Sequence, residues 1–181
     1  ASSTITKFEV GYVQGIKSIL PQAKIVDFYT DDWGAPEVAK QQAKIWYDQG
    51  VFSIFSAAGA SGNGTIAQAK ECRLNGINVW AVGVDSDQYE DGLYNGSKSV
   101  VLTSMLKRVD IATEIALRKV QNKTFTGGTT SFSVKEGCID FSISNPELSK
   151  DIIDAANDIK KEIKKKKRTY LLINFINILI S

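Results

Sequence analysis

The chain has 181 residues, 43% of them apolar, enough for the hydrophobic core of one ordinary domain or slightly more. Its 22 basic and 20 acidic residues nearly balance, so the total charge requires no nucleic-acid partner, although seven of the basic residues crowd into positions 160–168. There is no histidine, which excludes a histidine-based triad, a histidine general base and a histidine-ligated zinc site.

Phe8, Tyr12, Ile16, Ile19 and Leu20 recur at helical spacing, so residues 4–20 are predicted to form an amphipathic helix that Pro21 ends. Residues 24–29 are β-rich and predict a short strand, followed by a polar loop at 30–36. Pro36 suits the first turn of a helix running to about Gln49, with Val38, Ala39, Ala43, Trp46 and Tyr47 on its packed face and Gly50 closing it. Residues 51–58, VFSIFSAA, predict the next strand. The small-residue turn GASGNG at 59–64 then leads into a helix over 65–75.

Residues 79–88 read VWAVGVDSDQ, an uncharged run typical of a strand buried on both faces that stops at the carboxylates Asp85 and Asp87. A further strand is predicted over 99–103, then a helix over 104–120. Two short strands at 132–134 and 138–142 flank the turn Lys135-Glu136-Gly137. A last amphipathic helix spans 147–165. Strands alternating with helices of this length are the signature of βαβ units, hence an α/β fold with a mostly parallel sheet and helices on both faces. The chain reads as one α/β lobe over 1–165 and an atypical basic and apolar tail over 166–181. The apolar run at 170–180 is about half of the roughly 20 residues needed to span a bilayer.

In an open parallel sheet, ligands bind outside the carboxyl ends of the strands, which makes Asp85 the first candidate for a binding residue. The plain alternative is that Asp85 and Asp87 cap a turn or the next helix. Trp33 sits in a polar loop after a predicted strand, where its flat face suits stacking on a planar ligand or folding down on the neighbouring helix. Phe55, inside a strand, reads as core by composition alone. The GASGNG turn offers backbone N–H groups at a helix start but is neither a dinucleotide fingerprint nor a Walker motif. Lys107 is expected to open a helix, a position that the helix dipole disfavours for a cation, which hints at a role beyond that of a solvated surface lysine. Cys72 and Cys138 lack metal-ligand spacing. Cys72 reads as a small buried hydrophobe, and a disulfide between the two stays open.

Several blocks together resemble the basic membrane protein family: Phe8-Glu9-Val10-Gly11-Tyr12, Trp33-Gly34-Ala35-Pro36, Tyr47-Asp48-Gln49-Gly50, Ala57-Ala58-Gly59 with Gly62-Asn63-Gly64, GVDSDQ at 83–88, and LTSMLKRVD at 102–110. The resemblance covers about residues 4–163. It implies a periplasmic-binding-protein-like fold of type I and a solute-binding lipoprotein of a bacterial ABC importer, on the cell surface or in the periplasm, with no catalysis, metal or cofactor. It implies a purine nucleoside as ligand, and permease and ATPase subunits as partners. Trp33 and Phe55 match positions that supply aromatic rings near the base. Asp85 matches the carboxylate that accepts from ribose hydroxyls, Lys107 the cation beside it, and Gly59 and Gly137 small positions close to the ligand.

The resemblance also implies absences. The family's first lobe, its lipidated cysteine and the first, central strand of the second lobe have no counterpart here. Without that strand, residues 24–29 and 51–58 face a gap about 9.6 Å wide, two strand spacings, which no backbone hydrogen bond crosses. The ending after about Lys165 departs from the family, as a shifted reading frame or a lost stop would produce. Two other readings remain: a ligand-sensing effector domain of a transcription regulator, and a sugar-binding protein of the same fold. A nucleotide-using enzyme is disfavoured, with no histidine, Walker lysine or dinucleotide fingerprint in the chain.

Overall fold

The computed structural model describes residues 3–165 and 176–180. Five helices are present among them: α1 (Ser3–Ile19), α2 (Pro36–Asp48), α3 (Gly62–Leu74), α4 (Val109–Gln121) and α5 (Lys150–Lys164). The strands are β1 (Ser53–Phe55), β2 (Trp80–Asp85), β3 (Leu93–Asn95), β4 (Lys98–Ser99), β5 (Val101–Lys107), β6 (Gly128–Phe132), β7 (Ile139–Phe141) and β8 (Ile176–Ile180). Four of them form the main sheet in the order β1-β2-β5-β7. β1 and β2 are parallel, with Ser53 opposite Trp80 and Phe55 opposite Val82, and α3 connects them, so β1-α3-β2 is a βαβ unit. The chain is an α/β protein.

The residues divide into two compact units. The first contains 24–105 and 141–150. Its core gathers Ala43 and Tyr47 of α2, Ile54 of β1, Ile66, Ala69 and Cys72 of α3, and Val79, Ala81, Val100 and Val101 around β2 and β5. These positions were legible from helical spacing in α2 and from the uncharged run of β2. Tyr47 resolves its one polar atom inside this core by donating its hydroxyl hydrogen to the Trp80 carbonyl at 2.9 Å. The approach of α2 to α3 is set by Gly64, whose lack of a side chain leaves room for the α2 backbone.

The second unit contains 2–23, 106–140 and 151–181. Ala112, Phe132, Val134, Cys138 and Ile139 are its buried apolar residues. A tight turn joins β6 to β7: Gly137 N donates to Val134 O, Cys138 N donates to Ser133 O, and Gly137 takes φ +82°, the left-handed region that favours glycine. No residue of α5 is fully buried. It is tied to the strand by Lys160, whose ammonium bonds both Asp140 carboxylate oxygens at 2.6 Å.

Three sequence expectations are corrected. Residues 24–29 form no strand: their composition suits one, but a strand exists only with a partner, and β1, the nearest candidate in the predicted order, is the sheet's outermost strand. Val26 and Phe28 are left exposed there. The helix expected from 104 begins at Val109, because Ser104 continues β5, accepting from Ser142 N while Val100 O accepts from Ala81 N on the other side. Lys107 therefore ends a strand instead of opening a helix, and the dipole argument for it lapses. Finally, the strand expected at 132–134 is displaced to Gly128–Phe132, where it pairs antiparallel with β8, while the remainder of the 166–181 tail lies outside the described residues.

Candidate functional site

The carboxyl ends of β1 and β2 lie side by side in the first unit. Phe55 ends β1, half-buried instead of fully in the core, and the ladder continues one step further as Ser56 N donates to Val82 O at 3.4 Å. Asp85 ends β2. It is exposed and has φ +69°, a left-handed conformation uncommon for any residue but glycine and less so for Asp and Asn. The turn this forces is closed by Ser86 N donating to Val84 O.

The two carboxylates of the GVDSDQ block have different duties. Asp87 is committed to structure, accepting from Tyr89 N at 3.1 Å and from the Ser144 hydroxyl, so the capping alternative holds for Asp87. Burial works to raise its carboxyl, but the bonds from Ser144, Ser142 and Tyr89 N outweigh it and keep the group below the usual carboxylate range. Asp85, by contrast, is the exposed last residue of β2.

Trp33 and Gly59 are brought together. A Cβ on Gly59 would lie 3.2 Å from the Trp33 ring, and Gly59 adopts φ +56° beside it. Trp33 is 58% exposed, so it has not folded down into the core. Its loop is held by Ser61, a residue that sequence reading passed over as one small residue in a turn. Ser61 is fully buried. Its backbone N donates to Trp33 O at 3.0 Å, its hydroxyl donates to Asp32 O at 2.6 Å, and the same oxygen accepts from Ala35 N at 2.9 Å. At about 1 kcal/mol each, these bonds fix the loop more firmly than exposure alone would suggest. Only the placement of a serine directly before Gly62 at a helix start could have signalled this role.

Gln88 does the same for the other loop. Its side-chain oxygen accepts from Val84 N at 3.0 Å, its amide donates to Asn63 Oδ1 at 3.4 Å and Asp91 Oδ2 at 3.2 Å, and its backbone N donates to the Ser104 hydroxyl at 3.1 Å. Gly83 makes room for this arrangement, since a Cβ there would lie 2.5 Å from Ser104 Oγ. The GASGNG segment is more ordered than the expected loop: residues 59–61 form a 3-10 turn and Gly62 already begins α3.

The remaining candidates, Lys107 and Gly137, belong to the second unit, where they are neighbours. Lys107 is the half-buried last residue of β5, and the residue after it, Arg108, donates its N–H to the carbonyl of Cys138, the residue after Gly137, at 2.8 Å. The structure thus groups Trp33, Gly59, Phe55 and Asp85 in one unit and Lys107 with Gly137 in the other. Cys72 and Cys138 are both free and buried, and Cys72 packs in the core as a small hydrophobe. Among the described residues no cluster of Cys, Asp and Glu is arranged to hold a metal ion. No described helix is long and apolar enough to cross a membrane.

Residues 1–172 match the family Bmp, described as ABC transporter substrate-binding protein PnrA-like. The chain belongs to the Bmp family. It is 33% identical over 168 residues to the CD4+ T-cell-stimulating antigen of Listeria monocytogenes serovar 1/2a, covering 89% of this chain and 47% of that protein. It is 30% identical over 170 residues to the ABC transporter nucleoside-binding protein BmpA of Lactococcus lactis subsp. cremoris, covering 90% and 48%. The chain therefore spans about half the length of the curated Bmp relatives it matches.

Solved structures agree on the fold. A solute-binding protein of an ABC transporter system from Aeropyrum pernix K1 superposes with a TM-score of 0.67 at 22% identity, over 89% of this chain and 51% of that one. A transcriptional activator of the comK gene from Bacillus halodurans superposes with a TM-score of 0.72 at 16% identity, over 87% and 52%. Transport and regulatory proteins share this architecture, so the choice between them rests on Bmp membership and not on the fold.

Proposed function

We propose that this chain supplies ligand-contacting residues of an extracytoplasmic solute-binding protein that delivers purine nucleosides to an ABC permease and its ATPase, and that it catalyses no reaction. The observation that carries this reading is the placement of Asp85, an exposed carboxylate at the carboxyl end of β2, one strand away from the ring of Phe55. A carboxylate only accepts hydrogen bonds, which suits a vicinal diol, and charge-assisted bonds of this kind are roughly twice as strong as neutral ones. Trp33 supplies an exposed aromatic residue for the base, and Gly59, having no side chain, lets the ring lie close against the turn. Lys107 and Gly137 enter this reading through the family resemblance. The Lactococcus relative is named as a nucleoside-binding protein, which favours the same ligand class.

The test is a titration of the chain with inosine, adenosine, guanosine and ribose, followed by NMR. The expected affinity is weak, roughly millimolar, with the Trp33 indole signal moving for nucleosides and much less for ribose. Asp85→Ala is expected to abolish the response to both. Nucleosides that leave every signal unmoved at several times that concentration, or a response that survives Asp85→Ala, would overturn the proposal.

A further inference from the structure

We infer that the start of α3 is a common positioning element for the two loops that carry Trp33 and Asp85, with Ser61 and Gln88 as its positioning residues. Ser61, immediately before Gly62, binds the Trp33 loop at three places: the carbonyls of Asp32 and Trp33 and the N–H of Ala35. Asn63, in the first turn, is bound by the Gln88 amide, and the same Gln88 side chain caps Val84 N, one residue before Asp85. The two loops come from distant parts of the chain, yet both are held against the three residues 61–63.

The chemistry of the two holds differs in a useful way. The Ser61 hydroxyl both donates and accepts, and it is fully buried, so no water can replace it without displacing a neighbour. Removing it leaves the Asp32 carbonyl and the Ala35 N–H without that partner and loosens the loop, of whose three bonds to Ser61 only the backbone one to Trp33 O remains. Gln88 is only partly buried and shares its amide among several acceptors, so its loss loosens the end of β2 and leaves the Trp33 loop in place. Ser61 therefore governs where the aromatic ring stands, and Gln88 governs where the carboxylate stands. Spacing between the two groups is set by one helix turn and not by either loop.

The binding consequence rests on the nucleoside reading; the positioning itself does not. Two readouts keep them apart. In the full chain labelled with 5-fluorotryptophan, Trp33, Trp46 and Trp80 give three fluorine signals, assigned by Trp→Phe variants. Ser61→Ala is expected to shift the Trp33 signal toward its unfolded position while Trp46 and Trp80 keep theirs, and Ser61→Thr, which retains the hydroxyl, is expected to restore it. If Ser61→Ala moves all three signals, Ser61→Cys, which fills the same volume, decides on the same readout. A Trp33 signal in a folded Ser61 variant identical to wild type overturns the inference.

In the titration, Ser61→Ala is expected to weaken inosine roughly tenfold, the equivalent of one lost hydrogen bond, and to leave ribose within about twofold of wild type. Gln88→Ala is expected to weaken both. Equal losses for both ligands in Ser61→Ala would overturn the division of labour. A wild-type chain that binds neither ligand sinks the nucleoside reading and leaves the fluorine spectrum to decide the positioning.

Discussion

A Cβ built on Gly64 would stand 1.8 Å from the carbonyl oxygen of Pro36 and 2.9 Å from Lys40 N. Both atoms are backbone, so no rotamer change can relieve the clash, and α2 must move off α3. Gly64→Ala is expected to destabilise the chain by about 3 kcal/mol, at the upper end of ordinary overpacking, seen as a lowered urea midpoint. Gly15→Ala is the control: nothing lies within 4 Å of its Cβ, and in mid-helix it is expected to stabilise by about 0.5 to 1 kcal/mol. Equal midpoints for the two variants would refute the close-approach argument.

The Asp87 carboxyl predicts a contribution to acid stability. Its folded-state pKa lies below the ordinary value of 3.8, because hydrogen bonds from Ser144, Ser142 and Tyr89 N overcome the opposing effect of burial. A depressed acid contributes fully above its unfolded pKa and loses that contribution as the pH falls through the folded one. Asp87→Asn is therefore expected to flatten the stability curve below about pH 4 and to lower the plateau above it. An unchanged acid limb would count against the role given to the Ser144 contact.

Lys160 and Asp140 form a partly buried pair, with side chains 24% and 27% exposed, and join α5 to β7 within the second unit. Exposed pairs such as Lys161 with Asp158, near 70% exposed, contribute little. A double-mutant cycle is expected to give about 1 to 2 kcal/mol for Lys160–Asp140 and under about 0.5 for Lys161–Asp158. The reverse order would show that burial does not set their worth.

Both thiols are buried, and burial, with Glu136 and Asp110 adding to it, pushes the Cys138 thiol up from its ordinary value. Neither is expected to react appreciably with iodoacetamide at neutral pH in the folded chain, and both are expected to react on unfolding in urea. Rapid native labelling of Cys138 would contradict its placement.

Much of the architecture was legible because the physics that decides it is local. Pro36 at a helix start and the spacing of Ala39, Ala43 and Tyr47 announced α2, and the uncharged run ending at Asp85 announced β2 within two residues. Residues 24–29 misled because composition reports how well a segment would fit a sheet and not whether a neighbour is present. Ser104 to Lys107 misled the other way: residues acceptable in a helix are held extended by ladders on both sides, a tertiary decision invisible to a short window. At the site, the candidates were readable as residue types, but Ser61 was not. A serine inside GASGNG looks like turn filler until its burial and three bonds to the 32–35 loop are seen.

The division of the chain into two units has a consequence for its synthesis. Each unit is assembled from segments separated in sequence, and the boundary falls within β5 and β7 themselves. Asn145, whose amide bonds the carbonyls of Ser99 and Val101, belongs to the unit begun at residue 24. A nascent chain leaving the ribosome must therefore keep that unit open for the whole time that 106–140 are being added, and α1 belongs to a unit whose other segments follow more than 80 residues later. A cut anywhere between 106 and 140 leaves both units short of a piece, so no single break there yields two independently folding products.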